Sequence, residues 1–438
     1  MRHRELLERL YHAGVEAADP YRAVRSALGQ TAIGARPWVI ALGKGAVPMA
    51  RGALDALSEG QRMPQGGLVV AATDVGGDVA PLQLLVGDHP VPGGRSAAAS
   101  RALAALVGLV RPGDDVLVLL SGGASSLIAS PVDGVSAADL AGLFDGLLRS
   151  GASIGTMNAL RKRVLRWGAG RLAEGLAGAR TTVLVASDVI GDEVASIASG
   201  PCTADVLRAA DLVDLADQHH LGSFIPPGVR DYLDDVLRGA RPETPKSSAP
   251  CFDTVIQRVV LNNATALDGI VAAAGRLGVA HVHLAPTLLL GPAASTGEAI
   301  ARACCALRAG GAATLGPPAR CLVWGGETTV RIESGTSGIG GRSQELALAA
   351  ARVLARAEEP HGGVALLAAG TDGRDGPTDA AGATVDADTW WRIVDAGIDP
   401  ELALRQHDAG TALDAAAALF RPGASGTNAN DVVIALVD

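Results

Sequence analysis

One segment near the C-terminus concentrates residues that could do chemistry. Residues 370–382 read GTDGRDGPTDAAG, with three carboxylates, two hydroxyls and four glycines. They follow the apolar run 364–369, which predicts a buried strand, and ligands of open α/β sheets bind where strands end. Glycines allow close backbone approach, while Asp372, Asp375 and Asp379 could hold a divalent cation, accept a proton or form a hinge. This segment predicts half of an active site.

Lys44 is a second candidate, in the string IALGKGA at residues 40–46. The string predicts a strand, a turn with glycines on both sides of the lysine, and a helix. Helix N-termini favour anions, so Lys44 could bind one there. A surface lysine in a plain turn explains the string equally well. The string is neither a Walker A loop nor a dinucleotide fingerprint.

The string LLSGGASS at residues 119–126 again places a glycine-rich turn after an apolar strand. Ser121, Gly122, Gly123 and Ser125 offer backbone N–H groups and hydroxyls suited to a phosphate or a carboxylate. A plain connector is the alternative interpretation. The position at a strand end favours binding.

Two aspartates lie four residues apart in the string ASDVIGDE at residues 186–193. Asp188 and Asp192 could share a cation or divide into a ligand and a base. Alternatively, Asp192 caps a helix and Asp188 forms the turn. The two interpretations stay open.

Arg342 follows the glycines of the string GTSGIGGRSQELA at residues 335–347, which include Gly340 and Gly341. An arginine that leaves an anion-cradling loop could stabilise charge on a transferred phosphoryl group, because its planar fork contacts several oxygens together. An ordinary helix start is the alternative. Glu327 and Asn263 also stand at strand ends, where a nucleotide could meet them, although turn or cap roles are commoner.

Apolar runs that predict strands alternate with helical patterns. The predicted strands are 38–42, 68–72, 116–120, 182–186, 255–261, 321–324, 364–369 and 432–437. The predicted helices are 97–110, 137–148, 157–176, 264–277, 295–307 and 343–357. This alternation indicates an α/β protein with parallel sheets covered on both faces.

The length of 438 residues favours two domains. Residues 241–250 contain three prolines and small polar residues, and they predict a linker. The predicted domains are residues 1–245 and 250–438.

Charge and cysteine content exclude several classes of protein. There are 37 basic and 46 acidic residues, a net charge of −9, so nucleic acid and anionic membranes are poor partners. The five cysteines lack Cys-x-x-Cys spacing and are expected to be reduced thiols. The charged N-terminus lacks the apolar core of a signal peptide, and no run approaches the ~20 residues of a membrane span. We expect a cytoplasmic protein, with a homodimer as one assembly the sequence allows.

Taken together and in order, the motifs resemble the glycerate 2-kinase family, also called the MOFRL family and sometimes named hydroxypyruvate reductase. Nine strings carry the resemblance across nearly the whole chain: GKG (43–45), HPVP (89–92), SGGASS (121–126), SDVIGD (187–192), ASGP (198–201), GGETT (325–329), GGRSQELA (340–347), GTDGRDGPTDAAG (370–382) and GTNAND (426–431). Each string alone is weakly specific. Nine of them in this order are difficult to obtain by chance.

The resemblance implies an ATP-dependent kinase that phosphorylates the C2 hydroxyl of D-glycerate with a divalent cation such as Mg²⁺. It also implies an N-terminal Rossmann-like domain, a C-terminal MOFRL α/β domain and an active site in the interdomain cleft. Lys44 and Arg342 are then the residues expected to be essential. Asp188, Asp192 or Asp372 would hold the cation, and an aspartate such as Asp188 would accept the hydroxyl proton.

The sequence departs from the family near residue 168. Relatives commonly have Val-Arg-Lys-His followed by a Lys-Gly-Gly turn, whereas this chain has LRKR at 160–163 and WGAG at 167–170. The lysine of the turn is missing, which allows another small hydroxy acid as substrate. The alternatives are a hydroxypyruvate or tartronate semialdehyde reductase, or a binding regulator without activity. No Gly-x-Gly-x-x-Gly with a downstream acid supports the reductase.

Overall fold

Two six-stranded sheets organise the described part of the chain. A computed structural model describes residues 2–72, 78–279, 281–308, 321–332, 338–357 and 363–438. Its strands are β1 (Trp38–Leu42), β2 (Gly66–Ala71), β3 (Gln83–Val86), β4 (Asp115–Leu120), β5 (Arg180–Ala186), β6 (Val255–Leu261), β7 (Val282–Leu284), β8 (Cys321–Gly326), β9 (Val364–Gly370), β10 (Gly382–Asp386), β11 (Leu419–Phe420) and β12 (Asp431–Val437).

Helices surround these strands in the same residues. They are α1 (Arg2–Ala17), α2 (Pro20–Gly29), α3 (Ala46–Glu59), α4 (Gly94–Val107), α5 (Ala124–Leu127), α6 (Ala137–Arg149), α7 (Ile154–Val164), α8 (Arg171–Gly175), α9 (Ala209–Gln218), α10 (Pro227–Leu237), α11 (Asn263–Arg276), α12 (Ala293–Arg308), α13 (Arg342–Ala355), α14 (Thr389–Asp395), α15 (Pro400–Arg405) and α16 (Ala409–Ala415). Short 3₁₀ helices cover Ile197–Ser199, Gly222–Phe224 and Pro250–Phe252. In this part of the chain, none of the helices combines the length and the apolar character that a membrane span needs.

The first sheet has the strand order β3-β2-β1-β4-β5-β6, and the pairs from β3 to β5 are parallel. Leu42 at the end of β1 lies beside Leu120 at the end of β4, and Leu120 lies beside Val185 of β5. Because these strands run in one direction, the loops that follow them leave the sheet at one edge. The predicted N-terminal Rossmann-like parallel sheet is confirmed.

The second sheet is mixed, with the order β11-β10-β9-β12-β8-β7. Strand β12 lies antiparallel between β8 and β9, β9 pairs antiparallel with β10, and only β7 with β8 is parallel among its described pairs. The prediction of parallel sheets throughout was wrong here. The helix α13 does connect two strands of the same direction, β8 and β9, but the last strand inserts between them in the opposite direction.

The chain divides into two compact units at positions other than the predicted ones. We call Pro20–Val260 the parallel-sheet unit, and Met1–Asp19 with Leu261–Asp438 the mixed-sheet unit. Helix α1 joins the mixed-sheet unit because it packs against α11, where a Cβ on Gly14 would lie 2.7 Å from Ile270 Cγ1.

The predicted linker 241–250 belongs to the parallel-sheet unit. Thr244 is 2% exposed, and its hydroxyl donates to Asp205 Oδ2 at 3.0 Å. Lys246 Nζ donates to the Thr244 hydroxyl at 2.9 Å. Residues 241–250 are therefore not a linker, although their prolines predicted one, because buried polar contacts hold them in the parallel-sheet unit.

The helix predicted over 157–176 is two helices, α7 and α8. The chain turns between them with left-handed backbone at Ala169 (φ +52°) and Gly170 (φ +83°). Ala169 N–H donates to the Ser199 carbonyl at 2.9 Å, and Gly170 N–H donates to the Gly200 carbonyl at 2.8 Å. The turn WGAG at residues 167–170 therefore packs against the ASGP motif at residues 198–201.

Candidate active site

Two turns interlock where β1 and β4 end. Gly43 has φ +125°, and a Cβ there would lie 2.3 Å from Ser121 Oγ, so this position requires glycine. Gly45 N–H donates to Ser121 Oγ, and Lys44 N–H donates to the Gly122 carbonyl, both at 2.9 Å. The backbone of Lys44 is fixed by these contacts, while its side chain is exposed.

Asp188 and His89 approach the same turn. A Cβ on Gly122 would lie 1.7 Å from Asp188 Oδ2, and a Cβ on Gly123 would lie 3.2 Å from both His89 Nε2 and Lys44 Cγ. Because Gly122 and Gly123 have no side chains, the carboxylate of Asp188, the imidazole of His89 and the aliphatic part of Lys44 can all lie close to this turn. We call Lys44, His89, Gly122, Gly123 and Asp188 the lysine cluster.

Burial and the charge of Lys44 together shift the pKa values of Asp188 and His89. Burial raises the pKa of the Asp188 carboxyl, although the Lys44 ammonium opposes this shift. Burial lowers the pKa of His89, and Lys44 acts in the same direction. A buried aspartate of raised pKa is suited to accept a proton from a hydroxyl group. The cluster combines a fixed positive charge with a proton acceptor.

Side-chain hydroxyls tie this turn to two other motifs. Ser125 Oγ and Ser199 Oγ share a hydrogen bond of 2.6 Å, and Ser126 Oγ donates to the Pro90 carbonyl at 2.9 Å. The strings 89–92, 121–126 and 198–201, which are distant in sequence, meet here.

The three predicted cation ligands are divided between the units. Asp188 and Asp192 lie in one turn, where Asp192 has a left-handed backbone (φ +56°), and Asp372 belongs to the mixed-sheet unit. Within the described ranges, no three His, Cys, Asp or Glu side chains are arranged to hold a metal. A cation at the turn of Asp188 and Asp192 would therefore take at most these two carboxylates from it.

Two carboxylates hold Arg342 in the mixed-sheet unit. Arg342 Nε and Nη2 donate to Asp431 Oδ2 (2.5 Å) and Oδ1 (2.9 Å), and Nη1 lies 2.7 Å from Glu327 Oε1. The register of β12 places Asp431 opposite Gly326 of β8 and Gly370 of β9. Antiparallel pairing thus brings the ends of β8 and β9 to the start of β12.

The neighbouring charges change the acidity of both partners. Burial raises the pKa of Asp431, and the hydrogen bonds from Arg342 oppose that shift. Burial acts to lower the pKa of Arg342, but Asp431 and Glu327 leave it above its ordinary value. Arg342 therefore stays charged. We call Arg342, Glu327, Asp375 and Asp431 the arginine cluster.

Asp375 closes the N-terminus of α13. Its Oδ1 accepts from Ser343 N–H at 3.2 Å and its Oδ2 from Gln344 N–H at 2.8 Å. A Cβ on Gly341 would lie 2.3 Å from the Asp375 carboxylate. This helix end already holds an anion, which differs from the open anion cradle predicted before Arg342. Residues 335–337 of that predicted cradle lie outside the described residues.

The buried carboxyl group of Asp375 predicts how the stability of the protein depends on pH. Burial raises its pKa to about 6, above the ~3.9 of an unfolded chain. Between these values the folded state binds more protons, so the contribution of Asp375 to the free energy of unfolding falls as pH rises from about 4 to about 6. We expect the stability of the wild type relative to Asp375→Asn to fall by about 2–3 kcal/mol over that window. Urea unfolding at several pH values measures it, and a constant difference would contradict this assignment.

Asn263 and Asn430 fasten the GTNAND motif to the arginine cluster. Asn263 Nδ2 donates to the carbonyls of Ala429 (2.6 Å) and Asp431 (3.1 Å). Asn430 Nδ2 donates to Glu327 Oε2 at 3.3 Å. The predicted nucleotide contact Asn263 therefore uses its amide N–H groups within the protein.

The remaining aspartates of the 370–382 turn have separate partners. Asp372 Oδ1 accepts from Arg374 N–H at 3.0 Å, and its side chain stays partly exposed. Asp379 accepts from Arg421 Nε at 3.0 Å on the surface. The three aspartates of this turn are therefore separated. Asp372 is partly exposed, Asp375 caps α13, and Asp379 pairs with Arg421 on the surface.

A cavity of about 460 Å³ lies beside Arg342. Its walls include Glu327, Val330, Gly340, Pro377 and His407. His407 Nδ1 lies 2.7 Å from Glu345 Oε2. The sequence did not predict a role for His407, because it lies in no motif, and it placed Glu345 only at a helix start.

The basic residues 161–163 are mostly structural. Lys162 Nζ lies 2.9 Å from Asp205 Oδ1, and Arg163, 1% exposed, donates to Thr244 Oγ1 at 2.7 Å and contacts Asp205 and Glu243. Burial acts to raise the pKa of Asp205, but Lys162 and Thr244 leave it below its ordinary value. Arg163 thus belongs to a buried ion network.

We expect Asp205→Asn to lower the free energy of unfolding by about 3–5 kcal/mol, because it leaves buried cations without their anion. Denaturant titration measures the change. Asp145→Asn is the matched control, since its pair with Arg149 is exposed and worth ~0.5 kcal/mol. A loss no larger than that of the control would show that the buried network does not stabilise the unit.

Comparisons with known proteins agree with these features. A model described as a domain of unknown function (DUF4147) matches residues 6–234, and the MOFRL family model matches residues 320–431. The chain is 35% identical to glycerate 2-kinase of Pyrococcus horikoshii, over 99% of this chain and 97% of that protein. The protein therefore belongs to the glycerate kinase (MOFRL) family.

Two further relatives are similar over nearly the full length. The crystal structure of glycerate kinase from Thermotoga maritima has a TM-score of 0.86 at 34% identity and covers 99% of both chains. A protein of Agrobacterium vitis named putative hydroxypyruvate reductase is 35% identical over 99% of this chain and 94% of that protein. The two names suggest different chemistry, which an assay must separate.

Proposed function

We propose that the protein transfers the γ-phosphoryl group of ATP to the C2 hydroxyl of D-glycerate, which yields 2-phosphoglycerate and ADP. The observation that carries this proposal is the match with glycerate 2-kinase of Pyrococcus horikoshii over nearly the whole chain. The lysine and arginine clusters support it, because they supply the cations and the proton acceptor that phosphoryl transfer needs.

Lys44 and Arg342 are the proposed cations for the transferred group. Phosphoryl transfer spreads negative charge over the phosphate oxygens, and preorganised cations stabilise that charge. Three of the five N–H groups of Arg342 contact Asp431 and Glu327, which leaves two for phosphate oxygens. The two carboxylates orient the guanidinium without occupying it fully.

Asp188 is the proposed acceptor for the proton of the C2 hydroxyl. Its raised pKa favours proton uptake. The ammonium group of Lys44 opposes this shift and so favours the charged carboxylate, which is the form that accepts the proton. The glycerate carboxylate is assigned to the backbone N–H groups of Gly122, Gly123 and Ser125, beside the positive charge of Lys44. The carboxylate and the C2 hydroxyl of D-glycerate would then both contact the lysine cluster. The predicted binding residue Ser121 instead donates its N–H to the Leu42 carbonyl and accepts from Gly45 N–H.

Mg²⁺ is the proposed metal. Mg²⁺ usually takes one or two protein carboxylates and completes its shell with water and phosphate oxygens, and either the pair Asp188 and Asp192 or Asp372 alone fits that pattern. When bound, the cation offsets charge on the phosphate oxygens.

A reductase is the second candidate, since the Agrobacterium vitis relative carries that name. A panel of small hydroxy acids, assayed for ADP release with ATP and Mg²⁺, tests both candidates and the effect of the missing family lysine. We expect D-glycerate to be the best substrate. Oxidation of NAD(P)H on hydroxypyruvate without ATP, together with no ADP release, would overturn the kinase.

Three expectations stay predictions: the cytoplasmic location, the homodimer, and the placement of the site in an interdomain cleft. Sedimentation of the purified chain measures the second directly.

A further inference from the structure

The cavity beside Arg342 has the size and lining of a nucleoside site. Its volume of about 460 Å³ lies within the ~300–1,000 Å³ of small-molecule pockets. Val330, Ile332 and Pro377 give it apolar surface, and Ile332 keeps 59% of its surface exposed. A planar base can pack against such a wall, while Arg342 at the same cavity matches the phosphates that a base carries with it.

His407 reaches this cavity from the turn between α15 and α16. Its backbone is left-handed (φ +55°), which is uncommon for a residue other than glycine. Neighbouring contacts fix the turn: Gly338 N–H donates to the Gln406 carbonyl, and Ile339 N–H donates to Asp408 Oδ1, both at 2.7 Å. Such a backbone persists only where its surroundings over-determine it, so the backbone of this turn has a fixed position.

Glu345 orients the ring. Its side chain is 9% exposed, and it lies one helical turn after Arg342 on α13. His407 Nδ1 is 2.7 Å from Glu345 Oε2. A carboxylate only accepts hydrogen bonds, so in the neutral ring the proton lies on Nδ1 and Nε2 keeps a lone pair. Among the residues described here, the ring makes no second hydrogen bond.

We propose that the cavity binds the adenosine part of ATP and that His407 Nε2 accepts a hydrogen bond from the exocyclic amino group of adenine. Guanine carries an acceptor oxygen at that position, which would face the Nε2 lone pair. The inference rests on the proposed kinase function and adds the residue that selects the nucleotide. His407 is a specificity-determining residue, and Glu345 is a positioning residue.

The test compares ATP with GTP in glycerate phosphorylation. We expect the wild type to favour ATP in kcat/KM by about tenfold or more, because one hydrogen bond is gained with adenine and lost with guanine. In His407→Asn the ratio falls to within about threefold of unity, since asparagine tolerates the left-handed backbone but is too short to reach the base. In Glu345→Ala the ratio also falls, while KM for D-glycerate is unchanged.

His220→Asn is the matched control, because His220 is an exposed histidine with the same left-handed backbone (φ +54°) in the parallel-sheet unit. It keeps the wild-type ratio. Calorimetric binding of ADP and GDP to each variant provides a readout that does not need turnover. A wild-type preference that survives in His407→Asn would overturn the inference. If the wild type binds ADP in preference to GDP but phosphorylates no substrate, and His407→Asn loses this preference, the inference about His407 is supported and the proposed kinase function is refuted.

Discussion

Replacing Lys44 with alanine is expected to lower kcat/KM for phosphoryl transfer by about 10²–10³-fold, the loss typical of one removed charge-stabilising group. The free energy of unfolding should stay within about 0.5 kcal/mol of the wild type, since the side chain is exposed. The geometry of the turn depends on Gly43, Gly45 and Ser121, which the substitution leaves in place. Activity and stability are therefore separated at this position.

Steady-state kinetics and urea unfolding of the same preparation measure both quantities. Arg51→Ala is the matched control, because it removes one exposed positive charge from α3 at some distance along the chain. Near-normal turnover of Lys44→Ala would refute its assignment.

Replacing Arg342 with alanine is expected to lower kcat/KM by about 10³-fold or more. It should also lower the free energy of unfolding by about 3 kcal/mol, because the Asp431 side chain is 6% exposed and loses its counterion. Unlike Lys44→Ala, this variant is therefore expected to change activity and stability together.

The double variant Arg342→Ala with Asp431→Asn separates the two effects. Removing the buried carboxylate should restore most of the stability, whereas activity should stay low because the guanidinium is still absent. Recovery of activity in the double variant would mean that Arg342 serves only to neutralise Asp431.

The sequence predicted the long strands and the helices α4, α6, α11, α12 and α13, because each is a continuous apolar run or a clear helical pattern, but it predicted no ranges for other helices such as α1, α2, α9, α10 and α14 to α16. It missed β3, β7, β10 and β11, which have two to five residues and give no clear period. It also missed the direction of β12, since pairing between distant segments leaves no local signal. The contacts of α1 with α11 and of residues 243–246 with Arg163 were hidden for the same reason.

The site was predicted in its residue types and less well in its contacts. The glycine strings correctly indicated close approach, as Gly122 against Asp188 and Gly341 against Asp375 illustrate. Which partner approaches could not be read from the strings, so the 370–382 turn was expected to act as a unit. Asp375 instead caps α13, an arrangement that depends on tertiary structure.

Phosphorus NMR of the reaction of D-glycerate with ATP and Mg²⁺ tests the central claim most directly. A phosphate ester at C2 has one neighbouring hydrogen on its carbon and gives a doublet, whereas an ester at C3 has two and gives a triplet. We predict a doublet that grows as ATP is consumed and that is absent when Lys44→Ala replaces the wild type. A triplet, or ATP left intact while D-glycerate is present, would contradict the proposed glycerate 2-kinase activity.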